Sequence, residues 1–405
     1  MSSDKRAYAM VTLAYWGFTL TDGALRMLVL LYFHELGYSP LEIATLFLLY
    51  ELFGMFTNLV GGWVGSRLGL KVTLYAGMTL QVAALGALGV FDPTWPTGVA
   101  VAYVMGTQAL SGIAKDLTKM SSKSSVKLLV SETDQGSALF AWVAALTGSK
   151  NALKGVGFFL GGVLLTALGF TGALFAMAGG LAVILVLTLF FVPGDLGQTK
   201  AKVKFTQIFS KSRNINVLSG ARFFLFGSRD IWFVVGLPLF LTTALGWSHS
   251  EVGGYMAAWV IGYGIIQAAA PKLLRTQNVP NGATSRLWLA LLTATTAGIG
   301  GLLLLPNAPT GPVVSLGLII YGVLFAINSA VHSFLILDYT EGDKVTLNVG
   351  FYYMANAGGR LVGTILSGWA YQAGDLTLCL GLSAAFLLGA WTVSLNLPKR
   401  AAAPE

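Results

Sequence analysis

The sequence predicts an all-α polytopic membrane protein: twelve transmembrane helices in two pseudo-symmetric six-helix halves. Three observations predict this. Of 405 residues, 55% are hydrophobic and only 10% charged, whereas a soluble domain carries roughly 25% charge to cover its surface. Twelve apolar stretches follow one another, each long enough to cross a bilayer as a helix of about 20 residues. Finally, Leu36-Gly-Tyr-Ser-Pro-Leu-Glu-Ile43 is matched 209 positions later by Leu245-Gly-Trp-Ser-His-Ser-Glu-Val252. The composition also excludes a disordered chain. A single cysteine, Cys379, excludes a disulfide framework or a thiolate metal site.

The spans fall at 8–33, 41–64, 72–90, 98–120, 137–168, 170–192, 215–245, 252–270, 286–305, 313–337, 347–373 and 376–397. The first is too long for a cleaved signal peptide, carries Asp22 and Arg26, and lacks a small-residue cleavage site. The second carries Glu51, and the fourth ends in a basic stripe, Lys115, Lys119, Lys123 and Lys127, beside Asp116. The fifth holds Lys150, Lys154 and the run Gly155-Val-Gly-Phe-Phe-Leu-Gly-Gly162. Arg222, Arg229 and Asp230 lie in the seventh, His332 near Asn328 in the tenth, and Arg360 in the eleventh. Glycines scattered through membrane helices allow close backbone approach.

The polar, basic connection 193–214 separates an N-terminal half, 1–192, from a C-terminal half, 215–405. Asp22 and Asp230 lie 208 apart in the first helix of each half, and Arg67 and Arg275 occupy equivalent loops. Duplicated halves with a ligand held between them describe one major class of secondary transporter.

With the N-terminus cytoplasmic, seventeen of the 25 lysines and arginines fall on the cytoplasmic side. The opposite connections, 34–40, 91–97, 169, 246–251, 306–312 and 374–375, hold none. Such a split places both termini in the cytoplasm. The formal charge of +8 is then the sum of basic cytoplasmic loops. The expected partner is the lipid bilayer, with no nucleic acid.

Eight basic residues remain inside the spans: Arg26, Lys115, Lys119, Lys150, Lys154, Arg222, Arg229 and Arg360. Four acids stand against them, Asp22, Glu51, Asp116 and Asp230, leaving a surplus of four cations. A charge at a helix centre costs roughly 2.5–3.5 kcal/mol by insertion scales, so it persists beside water, a partner or a ligand. The surplus points to a cavity for a multiply charged anion. Lys150 and Arg360 each lie 13 residues into their spans, and Lys154 is one turn beyond Lys150. These three have no acid beside them in sequence, which favours ligand binding over a structural ion pair. Arg26, four residues after Asp22, and Arg229, next to Asp230, are either ligand-binding or structural ion pairs. Arginine's fork suits phosphate-like oxyanions, while lysine supplies point charge. Lys115 and Lys119 either draw anions inward or snorkel to the interface; Lys123 and Lys127 are expected to snorkel. Asp22, Glu51, Asp116 and Asp230 are candidate coupling groups or counter-ions.

The three histidines are expected to be packed or hydrogen-bonded. The aromatics, 12% of the chain, are expected mostly at the lipid or the interface. His34-Glu35 begins a zinc-protease pattern, but Tyr38 stands where the second histidine belongs. No nucleophile elbow or Walker-type loop occurs, so enzyme chemistry, ATP-driven transport and a bound cofactor or metal are not expected.

The loop Gly61-Gly-Trp-Val-Gly-Ser-Arg-Leu-Gly-Leu-Lys71 resembles the signature of the major facilitator superfamily. Ser66 replaces the usual acid and Leu70 a usual base, while Arg67, Gly69 and Lys71 remain as the gating loop. The glycine run of the fifth span is similar to the family's antiporter motif without its proline. More closely, four strings resemble the ArsJ-type organoarsenical efflux permeases of bacteria. They are Tyr15-Trp-Gly-Phe-Thr-Leu-Thr-Asp-Gly-Ala-Leu-Arg26, Ala109-Leu-Ser-Gly-Ile-Ala-Lys-Asp-Leu-Thr-Lys119, Gly148-Ser-Lys-Asn-Ala-Leu-Lys154 and Phe223-Phe-Leu-Phe-Gly-Ser-Arg-Asp-Ile-Trp232.

That resemblance implies export of 1-arseno-3-phosphoglycerate across the bacterial inner membrane by alternating access, giving arsenate resistance. It implies functional cooperation with glyceraldehyde-3-phosphate dehydrogenase, which makes the ester when arsenate replaces phosphate. An anion charged at both ends asks for cations in both halves: Arg26, Lys150 and Lys154 for one end, Arg229 and Arg360 for the other. A general organophosphate or phosphate exchanger would want the same charges. A non-transporting membrane sensor would need an appended soluble domain.

Overall fold

A computed structural model describes the backbone of residues 3–68, 70–127, 137–191, 212–274, 280–340 and 345–398. It describes their side chains except at 3–8, 61–68, 70, 120–127, 137–148, 191, 271, 337 and 345–347. Twelve helices follow in chain order: α1 (Ser3–Glu35), α2 (Pro40–Leu46), α3 (Leu48–Leu68), α4 (Leu70–Gly89), α5 (Thr97–Lys127) and α6 (Ser137–Phe191). The second set comprises α7 (Arg213–Phe233), α8 (Gly236–Thr243), α9 (His249–Leu273), α10 (Gly282–Leu303), α11 (Thr310–Asp338) and α12 (Val345–Ser394). Among the described residues, nine segments are long and apolar enough to cross a membrane. Two of them, 42 and 47 residues long, are bent at Gly169 in α6 and at Gly374 and Asp375 in α12. Each therefore crosses twice, and with α1 the described residues make twelve crossings. The bends fall at the connections read from the sequence. Gly169 turns at φ 66°, where a side chain would clash.

The structure divides the spans 41–64 and 215–245 further than the sequence suggests. The second crossing is α2 followed by α3, and the seventh is α7 followed by α8. The latter break lies four residues before Pro238, whose ring cannot pack against a helical carbonyl at Val234. Ser367 of α12 repairs the opening: its hydroxyl accepts from the N–H groups of Val235 and Gly236, both at 3.1 Å. Freed backbone donors inside a membrane need such a partner.

The duplicated sequence string is a duplicated helix stop and start. Gly37 and Gly246 both adopt left-handed φ, 85° and 68°. Each is followed by a capping box. Ser39 N–H donates to Glu42 Oε2 at 2.8 Å and Ser248 N–H to Glu251 Oε2 at 2.8 Å. In return the Glu N–H groups donate to the Ser hydroxyls, at 3.3 and 3.4 Å. Both boxes satisfy donors that a helix start leaves open.

Two compact units result. Unit 1 is Met1–Gly37, Leu49–Gln207 and Ser248–Ile261; unit 2 is Tyr38–Leu48, Ile208–Trp247 and Gly262–Glu405. The central helix of each is enclosed: residues 21–31 of α1 and 230–241 of α7 and α8 are buried without a gap. Glycines make the enclosure possible. In unit 1 a Cβ at Gly157 or Gly161 of α6 would lie 2.5 Å from the carbonyl oxygen of Leu20 or Ala24 of α1. In unit 2 a Cβ at Gly363 of α12 would lie 2.5 Å from that of Gly227 of α7. The antiporter-like run of the fifth span is thus a helix-packing surface.

Candidate functional site

Four helices of unit 1 bring its charges together. On α1, Arg26 Nη2 donates to Glu51 Oε1 of α3 at 2.5 Å, and Glu51 is fully buried. The in-helix pair of Arg26 with Asp22 gives way to this one, with Glu51 supplied by α3. Asp22 accepts the hydroxyl of Tyr50 at Oδ1, and Lys154 Nζ of α6 lies 3.9 Å from its Oδ2. Lys154, which has no acid beside it in sequence, has one from another helix.

Tyr50 is the residue that sequence reasoning missed. It is buried, with Lys115 Nζ 3.9 Å from its ring centre and Arg26 Cζ at 5.1 Å. One side chain thus faces two cations through its ring and an acid through its hydroxyl. The aromatic share of the sequence suggested lipid contact, yet Trp232, Tyr321 and Tyr352 are also among the largest fully buried side chains. Further along α5, Lys119 Nζ donates to Asn58 Oδ1 at 2.5 Å and to Asp116 Oδ1 at 3.0 Å. Gly54 of α3 clears this corner: a Cβ there would lie 3.1 Å from Asp116 Oδ2. Lys150 is partly buried on α6. Lys71 Nζ lies 5.6 Å from the Tyr75 ring centre, while the Arg67 side chain and Gly69 lie outside the described residues, as do the side chains of Lys123 and Lys127.

Unit 2 gathers its charges around one acid. Arg229 donates to Asp230 Oδ1 through Nε at 2.7 Å and Nη2 at 2.5 Å. Arg360 Nε of α12 donates to Asp230 Oδ2 at 3.0 Å. Arg360 has no acid beside it in sequence; the acid comes from α7, 130 residues away. Asp230 is fully buried, while both arginine side chains keep 15% of their surface exposed. Nearer the start of α7, Arg222 contacts Asn356 and Ser329. His332, as expected, is hydrogen-bonded: its Nε2 lies 2.9 Å from the Ser285 hydroxyl.

In each unit the acids are more buried than the cations they hold, which suits moving charged solutes. The model of the Major Facilitator Superfamily matches residues 10–335. The chain belongs to that superfamily.

As a major facilitator protein it is a membrane-embedded secondary transporter of small molecules. Among solved structures it is similar to a bacterial homologue of the iron transporter ferroportin in its outward-facing state. That likeness has a TM-score of 0.68 at 15% identity and covers 98% of this chain and 99% of the other. It is also similar to the human organic anion transporter MFSD10 (TETRAN), with a TM-score of 0.70 at 15% identity, covering 97% and 100%. At such identity the likeness is one of fold. No curated protein matches the chain.

Proposed function

We propose that this transporter exports an anionic organoarsenical, 1-arseno-3-phosphoglycerate, from the bacterial cytoplasm across the inner membrane, with both termini cytoplasmic. The observation that carries the reading is the intramembrane charge. Eight basic residues stand against four acids in the spans, and the acids are more buried than the cations they hold. Asp22 is 7% exposed against 20% for Lys154, and Asp230 0% against 15% for Arg229 and Arg360. Each carboxylate orients a cation and leaves its remaining N–H groups for an oxyanion. Arg26, Lys150, Lys154, Lys115 and Lys119 in one unit, and Arg229 and Arg360 in the other, serve cargo charged at both ends. The organoarsenical identity rests on the resemblance of the four charged strings to the ArsJ-type permeases.

Asp22 is the proposed coupling acid, since it is held by a hydroxyl and one ammonium at 3.9 Å. Asp230, clamped by two arginines, is a counter-ion, as are Glu51 and Asp116 beside Arg26 and Lys119.

Uptake of the ester into everted vesicles, with and without an imposed proton gradient, tests both assignments. Uptake should exceed that of phosphoglycerates lacking arsenic and should respond to the gradient. Asp22→Asn should lose the gradient response and keep downhill exchange. Equal uptake of arsenic-free phosphoglycerates would make the protein a general organophosphate exchanger. In arsenic-sensitive cells, resistance should require glyceraldehyde-3-phosphate dehydrogenase; equal resistance without it would identify inorganic arsenate as the cargo.

A further inference from the structure

Arg222 of α7 is a buried cation, 4% exposed, whose contacts among the described residues include no carboxylate. Its Nε donates to Asn356 Oδ1 of α12 at 2.9 Å. Its Nη1 donates to the Ser329 carbonyl of α11 at 3.4 Å and to the Ser329 hydroxyl at 3.2 Å. The faces of Phe226, at 3.8 Å, and Tyr352, at 5.1 Å, flank the guanidinium. Its other terminal nitrogen, Nη2, has no acceptor among the described residues. Every other intramembrane arginine is paired: Arg26 with Glu51, and Arg229 and Arg360 with Asp230.

The surroundings are rich in donors. The Ser329 hydroxyl accepts from Tyr263 at 3.2 Å and from Gln267 Nε2 at 3.3 Å as well as from Arg222. Three donors crowd an oxygen with two lone pairs, which leaves donor capacity over for a further acceptor. Ring faces offset part of the charge, but they leave the guanidinium edge available, and a cation kept from water calls for an anion. A planar fork beside hydroxyl and amide donors matches an oxyanion.

We infer that Arg222, with Ser329 and Asn356, forms an oxyanion-binding site in unit 2, separate from the Arg229, Asp230 and Arg360 cluster, that takes the phosphate-type group of a soluble solute. The site does not depend on an arsenic-containing cargo; a failure of organoarsenical export leaves it standing.

Thermal unfolding of the full-length protein in zwitterionic detergent, with inorganic phosphate against chloride at equal ionic strength, provides the test. Phosphate should raise the wild-type Tm. Arg222→Gln should abolish that rise, and Ser329→Ala and Asn356→Ala should reduce it. Should Arg222→Gln fail to fold, Arg222→Lys keeps the charge without the fork and should keep its Tm in chloride while losing most of the phosphate response. Equal Tm values in phosphate and chloride for the wild type, or a full phosphate response in Arg222→Lys or Arg222→Gln, would overturn the site. Loss of the phosphate response on adding phosphatidylglycerol would reassign it to a lipid headgroup and overturn it for a soluble solute.

Discussion

In unit 1 each buried acid holds a cation of its own: Glu51 holds Arg26, Asp116 holds Lys119, and Asp22 faces Lys154. In unit 2 one carboxylate, Asp230, serves Arg229 and Arg360 together, and Arg222 has no acid among the described residues. The scaffolds are alike down to the capping boxes and the glycine contacts of the central helix. Sequence duplication therefore kept the helix signals while the charge pattern diverged. Unit 1 carries five basic and three acidic intramembrane residues, and unit 2 three and one. The surplus is two in each, reached by different wiring: distributed pairs on one side, a shared hub on the other.

The hub is the sharpest place to break this comparison. Removing one partner of a buried ion pair costs about 3–5 kcal/mol, because it leaves an uncompensated charge. Asp230→Asn strands two guanidinium groups at once, so its loss in Tm and in membrane-inserted protein should exceed that of Glu51→Gln. The latter strands only Arg26, which the Tyr50 ring still faces. Adding Arg360→Gln to Asp230→Asn should restore part of the loss, and adding Arg229→Gln as well should restore most of it. Equal losses for Asp230→Asn and Glu51→Gln, measured by thermal unfolding in detergent, would show that the hub is worth no more than a single pair.

The shared scaffold makes a second, smaller prediction. Gly161→Ala in unit 1 and Gly363→Ala in unit 2 would each place a Cβ 2.5 Å from a backbone carbonyl oxygen of the central helix. Overpacking of this kind costs about 1–3 kcal/mol, and the two Tm losses should be similar. A clearly larger loss in one unit would show that the enclosures, and not only the charges, have diverged.

What the sequence made legible follows range. Helix ends are local signals, so the left-handed glycines, the Ser-x-x-Glu boxes and the turns at Gly169 and Gly374 could be read from neighbouring residues. Arg229 beside Asp230 was equally local. Three pairs, by contrast, join residues 25, 130 and 132 positions apart: Arg26 with Glu51, Arg360 with Asp230 and Lys154 with Asp22. The helical spacing that suggested Arg26 with Asp22 gives neighbours on one helix surface. It says nothing of a stronger partner on the next helix. Tyr50 was hidden because composition assigns aromatics to lipid or interface, and only packing shows that one ring meets both Arg26 and Lys115. Arg222 was countable as an intramembrane cation, but its lack of a carboxylate became apparent only once its neighbours were placed.

The smallest effect belongs to a carboxylate outside the spans, which shows what removal from water adds. Asp92, in the exposed turn between α4 and α5, accepts from the Thr94 N–H at 2.8 Å and from the Thr94 hydroxyl at 2.7 Å, both at Oδ1. The backbone bond first, then the hydroxyl, holds its carboxyl below the usual carboxylate value. A group whose folded value is depressed stabilises the fold above its unfolded value, about 3.9, and loses that contribution as pH falls through the folded value. Wild type should therefore exceed Asp92→Ala slightly in Tm at pH 7, and the gap should narrow below about pH 4. Water already solvates this group, so neither mutation nor protonation strands a charge. A neutral-pH gap as large as that of Glu51→Gln would mean that burial in the membrane is not what makes the intramembrane pairs costly to break.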